Sequence, residues 1–333
     1  MPASTPGHSG VSAFAPAWWC RGAHAQTIWA ATLRPAPYVS VQRERWDTPD
    51  HDFLDVDHLP ATPGRPILVV LHGLEGSSKG KPVRGLLRGA QRRGWRGLAL
   101  NFRSCSGTPN RLRRSYHGGD TADLRWAIER VIREYPDVPV LCVGMSLGAN
   151  MLLKYLGEQP DAVPAAVTAA VAISTPFDLA ASALAFERGA VNRFYMARLV
   201  SSLKRRTRAK LHEYPDLVDR RRLAALRTIR EFDELVTAPL NGFGTAATYW
   251  AASSCRQFLA TIRRPTLLIQ AIDDPVVPND DQLWREMSRN PSLTLTCTNG
   301  GGHVGFLSGI WPWRPIAWAE ERALTFLAKH SPP

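Results

Sequence analysis

A five-residue turn, Gly-Met-Ser-Leu-Gly at positions 144–148, constrains the fold of this chain more than any other segment. It follows an apolar run at 139–143 that is typical of a buried strand, and it precedes a helical pattern from Leu147 to about Gly157. A serine at the tip of so sharp a turn has a strained backbone, and its neighbours two positions away must be small. The strain lifts the Ser146 hydroxyl above the sheet edge. The turn therefore predicts a strand–turn–helix unit with Ser146 as a nucleophile.

Apolar patterns on both sides of this turn alternate between strands and helices. Strands are predicted at 39–46, 53–59, 66–71, 97–101, 139–143, 166–173, 265–270 and 293–297, and helices at 81–93, 121–134, 147–157 and 315–329. The alternation predicts an α/β fold, with a mainly parallel eight-stranded sheet and helices on both faces. Residues 1–12, rich in Pro, Gly and Ser, are predicted to form a disordered tail, and residues 13–333 a single domain.

The segment from about 178 to 262 interrupts this alternation, because helical patterns rich in arginine replace the strands. Residues 178–255 hold thirteen Lys and Arg against eight Asp and Glu, in a chain of net charge +12. We expect a helical cap inserted after the sixth strand of the sheet. Its charge is compatible with peripheral contact with an anionic membrane, whereas the absence of interleaved stacking residues argues against nucleic acid. Its apolar residues either shape a substrate pocket or form the cap's own core: Phe186, Phe194, Tyr195, Met196, Phe243, Tyr249 and Trp250.

Composition excludes several classes of protein. The five cysteines are scattered and form no C-x-x-C pair, which argues against a zinc site or a disulfide framework and favours a reducing compartment. The N-terminus lacks the basic and apolar regions of a signal peptide. The most apolar stretch, 165–173, is far shorter than the roughly 20 residues that cross a bilayer. We therefore expect a soluble, cytoplasmic protein.

A carboxylate and an imidazole follow Ser146 in the chain at positions suited to catalysis. The strand at 265–270 leads into Asp273 and Asp274, and the carboxyl end of a parallel strand faces the crevice where active sites form. Asp274 is preferred because it directly precedes a Pro-Val-Val-Pro turn; Asp273 would then hydrogen-bond the loop, and the alternative is that both only shape an Asx-turn. His303 lies in a glycine-rich loop after the last strand. The predicted triad is Ser146, Asp274 and His303.

The early strand at 66–71 ends in His72 and Gly73, where a loop that stabilises an oxyanion would lie. The predicted oxyanion hole consists of two backbone N–H groups, those of Leu74 and Leu147. Cys105 is a rival nucleophile, but only Arg103 nearby could lower its pKa, and it lacks a strand–helix turn. Ser146 is therefore the preferred nucleophile.

Several short strings together resemble the YheT-like branch of the α/β-hydrolase superfamily, which is related to ABHD-type esterases and lipases. The strings are Ala-His-Ala-Gln-Thr (23–27), His-Gly-Leu-Glu-Gly-Ser (72–77), Asn-Phe-Arg-Ser-Cys-Ser-Gly (101–107), Tyr-His-Gly-Gly-Asp-Thr (116–121), Gly-Met-Ser-Leu-Gly-Ala-Asn (144–150), Phe-Asp-Glu-Leu-Val-Thr-Ala-Pro (232–239), Gly-Phe (242–243) and Gly-Gly-His-Val-Gly-Phe (301–306). The resemblance covers about residues 18–328. It implies the same triad, a carboxylesterase or acylglycerol lipase activity, and no metal or cofactor.

These observations together predict a serine hydrolase that cleaves carboxylic esters, of small molecules or lipids, through an acyl-enzyme intermediate. One alternative keeps the triad but transfers the acyl group to an alcohol or thiol instead of water. The other is an inactive hydrolase fold that binds a membrane surface, which the basic cap prompts. The intact triad argues against the second alternative.

Overall fold

The chain is described here by a computed structural model that covers residues 14–60 and 64–331. The predicted disordered tail at 1–12 lies outside these residues. One eight-stranded sheet occupies the centre. Its strands are β1 (Gln42–Asp47), β2 (Phe53–Leu59), β3 (Ile67–Leu71), β4 (Arg96–Asn101), β5 (Val140–Met145), β6 (Val167–Ile173), β7 (Thr266–Ala271) and β8 (Leu293–Thr298). A second, two-stranded sheet pairs β9 (Leu307–Ser308) with β10 (Ile316–Ala317).

The strand order is β1-β2-β4-β3-β5-β6-β7-β8. The β1–β2 and β2–β4 pairs are antiparallel, and every other neighbouring pair is parallel. This confirms the predicted mainly parallel sheet of eight strands. All residues of β3 and β5 are buried, which is why these strands read as continuous apolar runs.

Twelve α-helices surround the sheet in the described residues, together with four short π- or 3₁₀-helical segments. The α-helices are α1 (Ala23–Ile28), α2 (Lys81–Arg92), α3 (Thr121–Glu134), α4 (Leu147–Glu158), α5 (Leu179–Ala185), α6 (Ala190–Lys210), α7 (Arg220–Ala225), α8 (Ile229–Phe232), α9 (Ala238–Leu240), α10 (Ala246–Ser253), α11 (Asp281–Met287) and α12 (Trp318–Lys329). Apolar residues of α3 and α4 belong to one core cluster, and those of α2 and α12 to another. Helices therefore cover both faces of the sheet.

The chain between β6 and β7 forms α5 to α10 and contains no strand. A separate small core lies here, built from Leu203, Leu211, Leu223, Phe232 and Val236 among others. We call this segment the helical segment. None of the helices in 14–60 and 64–331 is long and apolar enough to cross a membrane.

Two predicted boundaries differ from the structure for identifiable reasons. The first strand begins at Gln42 and not at residue 39, because its pairing with β2 begins at the Gln42–His58 pair. The last helix begins at Trp318, because Ile316 and Ala317 pair with β9 and Pro315 precedes them.

Candidate active site

Ser146 lies at the tip of a sharp turn between β5 and α4. Its φ of 52° and ψ of −123° place a non-glycine residue in strained backbone. A Cβ on Gly144 would lie 2.4 Å from the Gly148 carbonyl oxygen, and one on Gly148 would lie 2.4 Å from the His72 carbonyl oxygen. Only glycine fits at either position. The Ser146 N–H donates to the Ile173 carbonyl at 2.9 Å, which fixes the turn against β6.

His303 joins Ser146 to Asp274 in one hydrogen-bonded chain. His303 Nε2 lies 2.8 Å from Ser146 Oγ, and His303 Nδ1 lies 2.9 Å from Asp274 Oδ2. The Asp274 side chain is completely buried, whereas 14% of the His303 side chain is exposed. The imidazole can therefore be reached from solvent while its partner carboxylate is enclosed. The side chains of Ser146, His303 and Asp274, which were predicted to form the triad, therefore lie in hydrogen-bond contact.

The carboxylate of Asp274 is held in place by the turn that follows it. Asp274 Oδ1 accepts the backbone N–H groups of Val276 at 2.8 Å and Val277 at 3.0 Å. Asp273 has a different role, because its Oδ1 accepts the Gly302 N–H at 2.9 Å. One aspartate therefore contacts the imidazole and the other shapes the loop that carries it.

The loop that carries His303 is anchored from two sides. The His303 N–H donates to Thr27 Oγ1 of α1, and the Val304 N–H donates to Ser174 Oγ just after β6, both at 2.9 Å. Gln26 is fully buried and donates to the Leu307 carbonyl at 3.0 Å, while its own Oε1 accepts the Leu307 N–H. Sequence reasoning gave α1 no function. The sequence signal in this region is the Ala-His-Ala-Gln-Thr motif at 23–27, which is part of the family resemblance.

His72 holds the peptide group that precedes Leu74. The Phe102 N–H donates to His72 Nε2 at 3.2 Å, so the proton of the neutral ring is on Nδ1, which donates to the Gly73 carbonyl at 2.7 Å. Burial lowers the pKa of His72 to about 4, which keeps the ring neutral. In a trans peptide the C=O and the next N–H point in opposite directions. The Leu74 N–H therefore points away from His72.

The predicted oxyanion hole consists of the N–H groups of Leu74 and Leu147. Neither N–H donates a backbone hydrogen bond to another described residue. Leu147 is the first residue of α4 and directly follows Ser146. On the other side, a Cβ placed on Gly73 would lie 3.0 Å from Ser146 Cβ and 3.5 Å from Ser146 Oγ. The loop that bears Leu74 thus runs directly past the serine. The role of Leu74 and Leu147 stays a prediction.

A buried ionic cluster that sequence reasoning missed lies behind this loop. Arg206 of α6 approaches Glu75 Oε2 at 3.1 Å and donates to Cys105 Sγ at 2.8 Å. The Tyr116 hydroxyl donates to Glu75 Oε1 and accepts the Glu75 N–H, both at 3.0 Å. Burial raises the pKa of Cys105 to about 12, so its thiol stays protonated and is a poor nucleophile. The basic residues of this segment had indicated only a charged surface compatible with contact with an anionic membrane.

Lys210, one turn further along α6, is also buried. Its ammonium group donates to the carbonyl oxygens of Leu112, Arg113 and Arg114. Burial lowers the pKa of Lys210 to about 8. Arg206 and Lys210 therefore connect the C-terminal half of α6 to two loops that follow strands of the sheet, one at 72–76 and one at 101–116.

Most of the apolar residues named for the helical segment pack in the core cluster that it shares with the sheet, and not in the segment's own small core. Met196, Tyr249 and Trp250 are buried, whereas 58% of Phe194 is exposed. A cavity of about 30 Å³ lies among α6 and residues 232–241, but Ser146 does not line it. Within residues 14–60 and 64–331, no group of three His, Cys, Asp or Glu side chains is placed to hold a metal ion.

Comparison with known proteins agrees with this architecture. A family model described as the alpha/beta hydrolase fold matches residues 66–310. The putative esterase YheT of Escherichia coli is 37% identical over 317 residues, which cover 92% of this chain and 90% of that protein. The chain therefore belongs to the α/β-hydrolase family, in the branch that contains YheT.

Two further proteins extend the comparison. The monoacylglycerol lipase of Saccharomyces cerevisiae is 32% identical over 272 residues, covering 80% of this chain and 59% of that protein. A solved structure of the Pyrococcus furiosus esterase Pf2001 superposes with a TM-score of 0.57 at 17% identity, covering 91% of this chain and 99% of that one. At that identity the likeness shows the fold alone.

Proposed function

We propose that this chain is a serine hydrolase that cleaves carboxylic esters through an acyl-enzyme formed on Ser146. An ester hydrolase follows from the relatives, among which one is named an esterase and another a monoacylglycerol lipase. The observation that carries the route through Ser146 is the hydrogen-bonded chain from Ser146 Oγ through His303 to Asp274, at 2.8 and 2.9 Å.

In the first half-reaction, His303 Nε2 takes the proton of Ser146 Oγ as the oxygen attacks the ester carbonyl. The buried carboxylate of Asp274 keeps the Nδ1 proton of His303 in place and stabilises the imidazolium that forms. The tetrahedral intermediate collapses with release of the alcohol, which receives the proton from His303. Water then attacks the acyl-enzyme with the same histidine as base, and the free acid leaves.

The developing oxyanion would be bound by the N–H groups of Leu74 and Leu147. Supporting this, Leu147 opens α4 directly after the serine, and the peptide before Leu74 is oriented by His72. One such donor is worth about 3 kcal/mol of transition-state stabilisation. The substrate class we propose is a small-molecule or lipid ester, and a cytoplasmic location stays a prediction.

The test is hydrolysis of p-nitrophenyl esters of increasing acyl length by wild type and Ser146→Ala. Ser288→Ala is a matched control, because this exposed serine lies at the end of α11. We expect Ser146→Ala to lose at least about 1,000-fold in kcat and the control to lose nothing. Equal rates for wild type and Ser146→Ala would refute the serine mechanism. If both proteins hydrolysed the esters no faster than the uncatalysed background, the result would favour an inactive binding protein.

Two further measurements distinguish the proposal from its alternatives, which are a different nucleophile and transfer of the acyl group to an acceptor other than water. A fluorophosphonate probe should label wild type and Ser288→Ala but not Ser146→Ala; labelling that survives the loss of Ser146 identifies another nucleophile. Adding an alcohol or a thiol to the ester assay distinguishes hydrolysis from acyl transfer. Free acid as the main product supports the proposal, and a dominant new ester or thioester shows an acyltransferase.

A further inference from the structure

An exposed apolar surface lies on the hairpin that follows the histidine loop. β9 begins at Leu307, four residues after His303, and its turn carries large side chains that solvent reaches. The exposed fractions are 68% for Ile310, 53% for Trp311, 64% for Trp313, 53% for Ile316 and 64% for the adjoining Trp18. We call these five residues the tryptophan face. A surface of this kind on a soluble domain marks an interaction site.

Several contacts hold the tryptophan face in this exposed arrangement. Trp18 Nε1 donates to the Ile310 carbonyl at 3.0 Å, which joins the N-terminal segment to the hairpin. The rings of Trp311 and Trp313 stack with their centroids 5.1 Å apart. The Arg314 N–H donates to the Trp311 carbonyl at 3.1 Å and closes the turn. Trp311 and Trp313 are therefore presented outward by a hydrogen-bonded turn, with their rings stacked on each other.

The two chain segments that form the tryptophan face carry formal charge of one sign only. Neither segment that forms it, 14–43 and 299–319, contains a single Asp or Glu. Arg21 and Arg314 are both exposed within these segments. Tryptophan rings favour the boundary between hydrocarbon and water, and nearby arginines attract anionic headgroups. Both properties match an anionic lipid surface.

We infer that the tryptophan face docks this protein on the surface of an anionic lipid membrane. Trp18, Trp311 and Trp313 enter the headgroup boundary, and Arg21 and Arg314 contact the lipid phosphates. This surface is distinct from the arginine-rich helices to which the charge pattern alone had pointed. Docking requires no catalysis, so it can fail while the proposed esterase activity holds, and the reverse.

Docking at this face would bring the catalytic histidine close to the lipid. Gln26 ties α1 to Leu307 at the base of the hairpin, and Thr27 of the same helix holds the His303 N–H. His24, also on α1, lies 3.1 Å from the Tyr195 hydroxyl on α6, next to the exposed Phe194. The hairpin, α1 and the histidine loop thus form one connected unit.

The experiment is cosedimentation with vesicles of phosphatidylglycerol and phosphatidylcholine, and with vesicles of phosphatidylcholine alone. The variants are Trp311→Ser/Trp313→Ser and Arg314→Glu, with Arg133→Glu on α3 as a control of equal charge change at another exposed position. We expect the double variant to bind the anionic vesicles about tenfold less, since it removes the apolar anchor. Arg314→Glu should lose about fivefold or more on anionic vesicles only, and Arg133→Glu should bind as wild type does.

Thermal melting and ester hydrolysis in free solution should be the same for all four proteins, because the altered side chains are exposed. The inference is overturned if wild type does not sediment with anionic vesicles, or if the double variant sediments as well as wild type. Equal losses for Arg314→Glu and Arg133→Glu would overturn it by showing unspecific charge attraction. Light scattering that shows a wild-type dimer and a monomeric double variant, without vesicle binding, would assign the face to a second copy of the chain.

Discussion

The guanidinium of Arg206 lies 3.1 Å from the carboxylate of Glu75, so the longest helix of the helical segment contacts the residue that follows Leu74. Both side chains are largely removed from water, with 16% of Arg206 and 3% of Glu75 exposed. Glu75 has a positive φ of 57°, so the loop is also bent sharply at this point. The position of one predicted oxyanion donor thus depends on where α6 packs.

Replacing Arg206 with methionine should slow catalysis without removing any group that touches the substrate. The change leaves Glu75 buried without its cation, which costs about 3 kcal/mol or more, and lets the loop shift. We expect kcat to fall about tenfold while KM changes less than about twofold, measured on a soluble ester.

Arg205→Met is the matched control, because Arg205 is the exposed neighbour on the same helix. It should leave both constants unchanged. Adding Glu75→Gln to Arg206→Met removes the unpaired charge and should restore most of the lost stability. If Arg206→Met lowers the melting temperature but leaves kcat intact, the ion pair only stabilises the fold and does not position the loop.

The two neighbouring aspartates should respond very differently to conversion to asparagine. Asp274→Asn keeps an oxygen for the Val276 and Val277 N–H groups but lets the amide donate to His303 Nδ1, which favours the wrong tautomer. We expect kcat to fall by about 1,000- to 10,000-fold. Asp273→Asn still accepts the Gly302 N–H and should lose less than about tenfold. A larger loss for Asp273→Asn would reverse the assignment of the acid.

Gly73→Ala should damage catalysis more than stability. The new methyl group would lie 3.0 Å from Ser146 Cβ, so the serine or the loop must shift by a few tenths of an ångström. Small displacements of reacting groups are costly, and we expect kcat to fall about tenfold with little change in melting temperature. Gly300→Ala is the control in the histidine loop, where the nearest atom to a Cβ is 3.6 Å away. Identical losses in the two variants would mean that crowding at Ser146 is not the cause.

The sheet and the positions of the three residues predicted as a triad could be inferred from the sequence, because their determinants are mostly local. Buried parallel strands such as β3 and β5 read as apolar runs, and the glycines beside Ser146 are required by backbone contacts. The carboxyl ends of parallel strands meet at one sheet edge, so Ser146 and Asp274 could be expected to lie close together. The predicted division into one domain with an inserted cap remains a prediction.

The contacts that hold the loops around the site could not be predicted from the sequence, because they join distant parts of the chain. Gln26 and Leu307 are 281 positions apart, and nothing in either local sequence indicates their pairing. Arg206 belongs to a run of basic residues, a pattern that indicates a solvated face. Its burial depends on where α6 packs against the loops at 72–76 and 101–116, which is decided by the whole fold.

Acid should destabilise this protein through His72. Its pKa falls from 6.5 to about 4 because the ring is buried, and a proton on Nε2 would remove the acceptor for the Phe102 N–H. As pH falls below 6.5, the unfolded chain takes up this proton before the folded one. The stabilisation is therefore complete above about pH 6.5 and is lost progressively toward pH 4.

His72→Asn isolates this effect, since the asparagine amide can still donate to the Gly73 carbonyl but does not titrate. Urea unfolding at about pH 7 and pH 5 measures it. Lowering the pH should cost wild type about 2 kcal/mol more than His72→Asn, with other titrating groups common to both proteins. The variant should be the less stable of the two at pH 7, because it loses the Phe102 contact. Equal losses in both proteins would show that His72 takes up no extra proton on unfolding, and its burial would then not control acid stability.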